Sequence, residues 1–184
     1  IGNLTDIAKG EQIYSTRFID NTLYMVTFKT TDPLFVISLD EPTNPKILGE
    51  LKIPGFSNYL HPYDENHLIG FGMETEEISK DQFRTIGLKV SLFDISNPST
   101  PKEVDKLVIK DAYSTISNDH KVLLSNKGRN LYGIPYYVSS SRISIGEGFL
   151  ILNITPQDGI KIDSAINLDD LNKNSNYYGF DQLR

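Results

Sequence analysis

The chain has 184 residues, 39% hydrophobic and 23% charged, with 18 Lys and Arg against 24 Asp and Glu, a formal charge of −6 and a pI near 5.0. That suffices for one domain with a real core, is too apolar for disorder, and offers no basic cluster to a nucleic acid. No apolar run approaches the roughly 18 residues of a membrane-spanning helix, and the absence of cysteine removes disulfides and thiolate metal sites.

From the N-terminus, STRFID (15–20) and TLYMVTF (22–28) read as two short strands. FVISL (35–39) follows, apolar on both faces. After the break DEPTNPK (40–46) comes ILGELKI (47–53), which alternates with a period of two. Pro presets φ in the break and Asn tolerates unusual backbone angles, so the segment suits a turn. A Pro opening the last strand cannot donate a ladder hydrogen bond, which places that strand at a sheet edge.

The series then returns. SNYLHPYDE (57–65), HLIGFGM (67–73), SLFDI (91–95), ISNPSTPK (95–102) and EVDKLVI (103–109) match it in order. DHKVLLSN (119–126), NLYGIPYYV (130–138), FLILNI (149–154) and IKIDSAI (160–166) form a weaker third copy. Pro45-Lys46 falls on Pro101-Lys102 at a shift of 56 (45 to 101), and Lys102 on Lys161 at a shift of 59 (102 to 161). An Asn, at 21, 66 and 130, precedes the second strand of every copy. A repeat of this length is one supersecondary unit.

Four-stranded units repeated radially are propeller blades, and a strand apolar on both faces suits a blade packed between two others. The expected fold is all-β: a β-propeller fragment of about three four-stranded antiparallel blades, at about 11–53, 57–110 and 112–168. Residues 169–184, ending YYGFDQLR, read as the start of a truncated next blade. A two-layer sandwich is the competing reading, but it shows one wet face per strand and leaves the repeat unexplained. Closed rings have roughly four to eight blades. A three-blade arc would leave two apolar end faces in water, so self-association is expected. The chain opens at Ile1 with no initiator Met and no signal-peptide pattern, so it reads as a mature or cut-down piece of something longer.

The chemistry-bearing residues form no convergent set, and no catalytic, cofactor-binding or metal residue is assigned. His61 and His67 flank the turn HPYDENH, but their spacing fits no common zinc pattern, so they read as polar turn residues. His120, between Asp119 and Lys121, reads as a structural hydrogen-bonding residue. GFG (70–72) and GEG (146–148) lie in or beside strands, where glycine allows close packing rather than a phosphate cradle. Asp170, Asn172, Asn174 and Asp181 fall at positions 1, 3, 5 and 12 of an EF-hand-like calcium frame. Ser175 stands where that frame wants Gly, so an exposed inter-blade loop is the plainer reading.

METEEISKDQFRT (73–85), four acids against two bases, interrupts the second blade. It reads as a solvated loop or a recognition loop, and EEISKDQF (76–83) suits one helical turn. Asn3-Leu4-Thr5 and Asn153-Ile154-Thr155 match the glycosylation pattern, the second inside a predicted strand. The aromatics of SNYLHPY and IPYYV read as inter-blade packing, with sugar stacking as the alternative. The partner is thus an unknown protein or glycan.

Residues 17–72, with GLKVSLFDISNPSTPKEVDKL and the DHK at 119–121, resemble secreted bacterial and archaeal proteins with a C-terminal β-propeller distantly related to WD-40 repeats. The resemblance implies an extracellular or cell-surface setting and carries no catalytic residues. The function expected on these grounds is a non-catalytic binding or scaffold module; the alternative is an extracellular enzyme with a site in the central propeller channel.

Overall fold

The computed structural model describes residues 2–5, 7–28, 32–80, 82–140 and 143–168. The calcium-like frame and YYGFDQLR lie outside them. Three antiparallel sheets follow one another along the chain, as expected. The first holds β1 (Gln12–Ile19), β2 (Thr22–Phe28), β3 (Asp32–Ser38) and β4 (Lys46–Ile53) in spatial order. The second holds β5 (Phe56–Pro62), β6 (His67–Ser79), β7 (Gln82–Asp94) and β8 (Lys102–Lys110).

In the third sheet the first position is shared. Both β9 (Ala112–Tyr113) and β10 (Leu124–Asn126) pair with β11 (Leu131–Ser140), which continues to β12 (Ile143–Thr155) and β13 (Gly159–Asn167). DHKVLLSN was expected to be one strand, yet only its end is extended. Asp119 accepts a hydrogen bond from the Lys121 amide at 3.0 Å and starts a 3-10 turn over His120–Val122. Local capping there competes successfully with the sheet ladder.

The repeat has a structural counterpart at each turn. Leu39 N–H donates to the Asn21 carbonyl (2.7 Å), Ile95 N–H to Asn66 (2.8 Å) and Ile154 N–H to Asn130 (3.0 Å). The recurrent Asn therefore closes the end of the central hairpin in all three sheets. The proline-bearing breaks also fold alike: Asn44 N–H donates to Glu41 O (2.8 Å) and Thr100 N–H to Asn97 O (3.0 Å), with Pro42 and Pro98 at the second turn position. Pro45 and Pro101 precede β4 and β8, and both strands lie at sheet edges.

Burial follows the stacking of the sheets. Val26, Leu34 and Val36 of the first meet Leu60, Leu68 and Phe93 of the second. Phe71, Leu88 and Leu92 of the second meet Tyr132, Ile134 and Leu152 of the third. Thus β7 is buried on both faces along its centre, because it lies between two sheets. Phe71, Leu92 and Ile134 are each 0% exposed, and burying such side chains contributes roughly 1.5–3 kcal/mol apiece. Gly72 is needed here, since a Cβ would collide with the Phe56 carbonyl of β5. Gly148 of GEG is similarly pressed against Ile166, whereas a Cβ at Gly146 meets no described atom within 4 Å.

Two expectations change. EEISKDQF forms no helical turn: β6 and β7 run on as a hairpin, with Glu76 opposite Arg84 and Glu77 opposite Phe83. An ion pair between Glu76 and Arg84 supports that register. The outer face of the first sheet is also not left bare. Met25, Phe35 and Ile37 are packed under Leu4, Ile7 and Ala8.

Candidate functional site: an aromatic and amide cleft at the inner strands

The first strands of the sheets lie side by side. Ser15 of β1 donates to the Ser57 carbonyl of β5 (2.7 Å), and Arg17 Nε donates to Leu60 O (2.9 Å). Tyr63, just after β5, donates to Asn130 Oδ1 before β11 (3.0 Å). Side chains from all three sheets therefore converge along this inner edge.

At one end they enclose a cleft of about 460 Å³, within the roughly 300–1,000 Å³ of small-molecule sites. On the side of the first two sheets stand Tyr14 and Phe56, with ring centroids 4.7 Å apart and Phe28 4.8 Å beyond Phe56. The third sheet supplies Tyr113 and Tyr137. These are cross-strand partners of β9 and β11, stacked 5.6 Å apart at 18°, and Tyr137 is 39% exposed. Between the rings lie Asn58, Thr85, Ser117 and Asn118, and none of the described lining residues carries a charge.

Local chemistry fixes the polar wall. Ser114 donates to Pro135 O (2.6 Å) and accepts from the Ile116 amide (3.3 Å), which caps the 3-10 turn Thr115–Ser117. That turn aims Ser117 and Asn118 at the cleft. The Asn58 amide oxygen and the Ser117 hydroxyl are both buried without a hydrogen-bond partner. Both atoms are screened from solvent, so they lie within the wall of the cleft and its exposed polar groups are those of Asn118 and Thr85.

A second cluster lies further along β5. His61 Nδ1 and the Tyr59 hydroxyl are 3.2 Å apart, and His61 stands edge-on to Tyr132 with centroids 5.7 Å apart. Burial, then Arg17 and Lys127, push the His61 imidazole below its ordinary value, so it is neutral at pH 7. His67 turns away to Asp64 at 2.8 Å, so the two histidines have different partners. His120 stacks on Tyr59, with centroids 5.3 Å apart at 22°. A ring contact thus holds it, where a hydrogen bond was expected. Burial, with Tyr63 and Asp64 adding to it, pushes the Tyr132 hydroxyl up to about 12. Among the described residues no three His, Cys, Asp or Glu gather as a metal group would require.

The aromatic stretches divide by role. From SNYLHPY, Asn58 faces the cleft and Tyr59 the histidine cluster; from IPYYV, Tyr137 faces the cleft. Ser117, Asn118 and Tyr113 drew no attention in the sequence, because a short turn between strands has no periodic signal. Asn153, in the second glycosylation pattern, lies in β12 with its amide directed at the Arg129 carbonyl.

Comparisons with known proteins agree with this architecture. The chain is 44% identical over 137 residues to an uncharacterized protein of Methanocaldococcus jannaschii, covering 74% of this chain and 21% of that one. It is 34% identical over 170 residues to an uncharacterized protein of Archaeoglobus fulgidus, covering 92% of this chain and 25% of that one. A glycerol-3-phosphate dehydrogenase (NAD(P)+) of Phytoplasma mali is 32% identical over 81 residues, 43% of this chain and 24% of its own. The chain therefore spans about a fifth to a quarter of the length of the curated relatives it matches. The beta propeller domain model matches residues 1–183, and the chain belongs to that family.

Proposed function

We propose that this chain is a non-catalytic binding module of a secreted or cell-surface protein, with the inner-strand cleft as its binding site. The observation that carries the reading is the cleft itself: rings, amides and hydroxyls from three sheets converge there, without a carboxylate or an imidazole among its described lining residues. General acid–base catalysis needs a titratable group in reach of the substrate, and the described lining offers tyrosine hydroxyls with no partner carboxylate or imidazole beside them. Carboxyls held below their usual range have local explanations elsewhere. Asp94 is held by hydrogen bonds from Ser96 in the β7–β8 turn, and Asp158 by Lys161 beside the β12–β13 turn.

The dehydrogenase relative does not change this. A dinucleotide site needs a glycine-rich turn from a strand into a helix, whereas GFG lies within β6 and the described 3-10 turns are three residues long.

Amide chemical-shift mapping of the 15N-labelled chain against mixed oligosaccharide and peptide libraries tests the reading. Saturable shifts on Asn58, Tyr113 and Ser117 support it. Shifts confined to other surfaces, or chemically altered ligands in the same tubes, would overturn it.

A further inference from the structure

We infer that the inner edge carries a second binding site, separate from the aromatic cleft, where Arg17, His61 and Lys127 hold a phosphate group, free or on a small monoester. One residue comes from each sheet. Arg17 belongs to β1 and His61 to β5, while Lys127 opens the 3-10 turn Lys127–Arg129 between β10 and β11. They are far apart in the sequence, and the stacking of the sheets brings the charges of Arg17 and Lys127 to bear on the one imidazole.

Arg17 is fixed before any ligand arrives. Its Nε donates to Leu60 O at 2.9 Å, and its guanidinium carbon lies 5.3 Å from the centre of the Tyr59 ring. The bond to Leu60 uses one of the five N–H donors of a guanidinium, and the planar fork suits two oxygens of a phosphate. His61 is held as well, with Nδ1 3.2 Å from the Tyr59 hydroxyl and Nε2 3.5 Å from Ser125 Oγ. Arg17 and His61 are half-buried, whereas Lys127, Ser125 and His120 (stacked on Tyr59) are exposed. A small anion can therefore reach the basic groups from solvent.

Charge selects the ligand. Arg17 and Lys127 are permanent cations, and after burial they are what pushes the His61 imidazole down. A phosphate monoester brings about −1.5 to −2 charges at pH 7, enough to offset both, whereas a carboxylate brings one. Acids of the adjoining turns already have partners: Asp64 pairs with His67 at 2.8 Å, and Asp119 accepts from the Lys121 amide at 3.0 Å. Tyr132, edge-on to His61, keeps its proton up to about 12 and adds no charge.

The test is titration of the whole 15N-labelled chain with inorganic phosphate and with ethyl phosphate, beside acetate and chloride at the same low ionic strength. Saturable shifts of Arg17 Nε–H and of the Ser125 and Lys127 amides are expected with phosphate at millimolar concentration or below. An anion beside an imidazole favours its charged form. The His61 titration, followed through its ring protons, should therefore move up toward its ordinary value when phosphate is bound. Lys127→Gln removes a charge from an exposed turn and leaves the cores intact, so it should weaken binding about threefold without moving the unfolding midpoint. Arg17→Gln should weaken it about tenfold or more; should that variant unfold, Lys127→Gln and the His61 titration decide. Equal affinity for the two phosphates supports the phosphate group alone as the ligand, and tighter binding of the ester supports a bound monoester. Acetate or chloride that reproduces the shifts overturns the inference, as does phosphate binding that ignores the substitutions. So does the absence of saturable shifts at tens of millimolar. Shifts confined to Tyr113, Asn118 and Tyr137 would put the anion in the aromatic cleft and overturn it too.

Discussion

Lys89 carries a charge into the interface between the first two sheets, with its side chain 3% exposed. Its ammonium donates to Pro54 O at 2.7 Å and pairs with Glu103 at 2.9 Å. Glu74, 5% exposed, is matched in the same interface by Lys106 at 2.8 Å, and that hydrogen bond raises the Lys106 ammonium above its ordinary value. A buried pair is costly to break from one side and cheap to replace from both. Lys89→Ala is therefore expected to destabilise the fold by about 3–5 kcal/mol. Lys89→Met with Glu103→Leu should recover most of that, as read from urea unfolding midpoints. A neutral Lys89→Ala would show that Glu103 finds other solvation.

His61 gives the pH dependence a sign. Its imidazole is pushed below the ordinary value of 6.5 by burial first and then by Arg17 and Lys127. The unfolded chain therefore takes up a proton that the folded chain refuses. Stability falls as pH drops from about 6.5 toward the lower folded value, the unfolded state binding more protons across that window. Unfolding midpoints measured between pH 7.5 and 5.5 should decline, and His61→Gln should flatten the decline. None of this was legible from HPYDENH, where His61 and His67 look equivalent. His61 is set apart by its burial and then by Arg17 and Lys127, all of which exist only after the sheets stack.

At the scale of the element, the junction between neighbouring sheets recurs with the same geometry. A Cβ on Gly49 of β4 would strike the Pro98 carbonyl of the β7–β8 turn. At the shift of 56, Asp105 takes the place of Gly49 on β8, and it accepts from the Ile160 amide at 2.7 Å beside the β12–β13 turn. Gly2 donates its N–H to Pro42 O of the β3–β4 turn at 3.1 Å. Residues 2–5, 7 and 8 thus hold toward the first sheet the place that β4 holds toward the second. Gly49→Ala should lower the melting temperature by several degrees, since a backbone carbonyl cannot step aside as a flexible side chain does. Gly146→Ala, into open space, should leave it unchanged or raise it. Differential scanning calorimetry distinguishes the two.

These junctions explain what the sequence could and could not disclose. The repeat, the strand periods and the proline turns are local and were readable as text. The split first position of the third sheet was not, because it depends on the Asp119 cap outcompeting a ladder. The β6–β7 hairpin was misread for a related reason: EEISKDQF has helix-forming residues, and only cross-strand pairs such as Glu76 with Arg84 make it extended.

For the whole molecule, the two ends of the arc are unequal. On the first sheet, Leu4, Ile7 and Ala8 cover Met25, Phe35 and Ile37, but an apolar cavity of about 280 Å³ remains among Leu4, Ile7, Ile13, Leu23 and Ile37. On the third sheet Ile166 is 45% exposed and pairs across the ladder with half-buried Phe149 on the face turned away from the second sheet. Apolar surface of this kind is an association site unless more chain covers it, and the relatives have more chain to supply. For the 184-residue chain alone, we propose that two copies cover each other through the third-sheet face. Light scattering across concentration should then show a monomer–dimer equilibrium. Ile166→Lys, which places a charge in that face and leaves both inter-sheet cores intact, should shift it to monomer. Leu4→Asp should move the mass upward, because it lifts the cover from the other end and exposes Met25 and Phe35. A single monomeric mass for all three proteins would mean that the arc tolerates its open faces. A dimer weakened only by Leu4→Asp would place the contact on the first sheet.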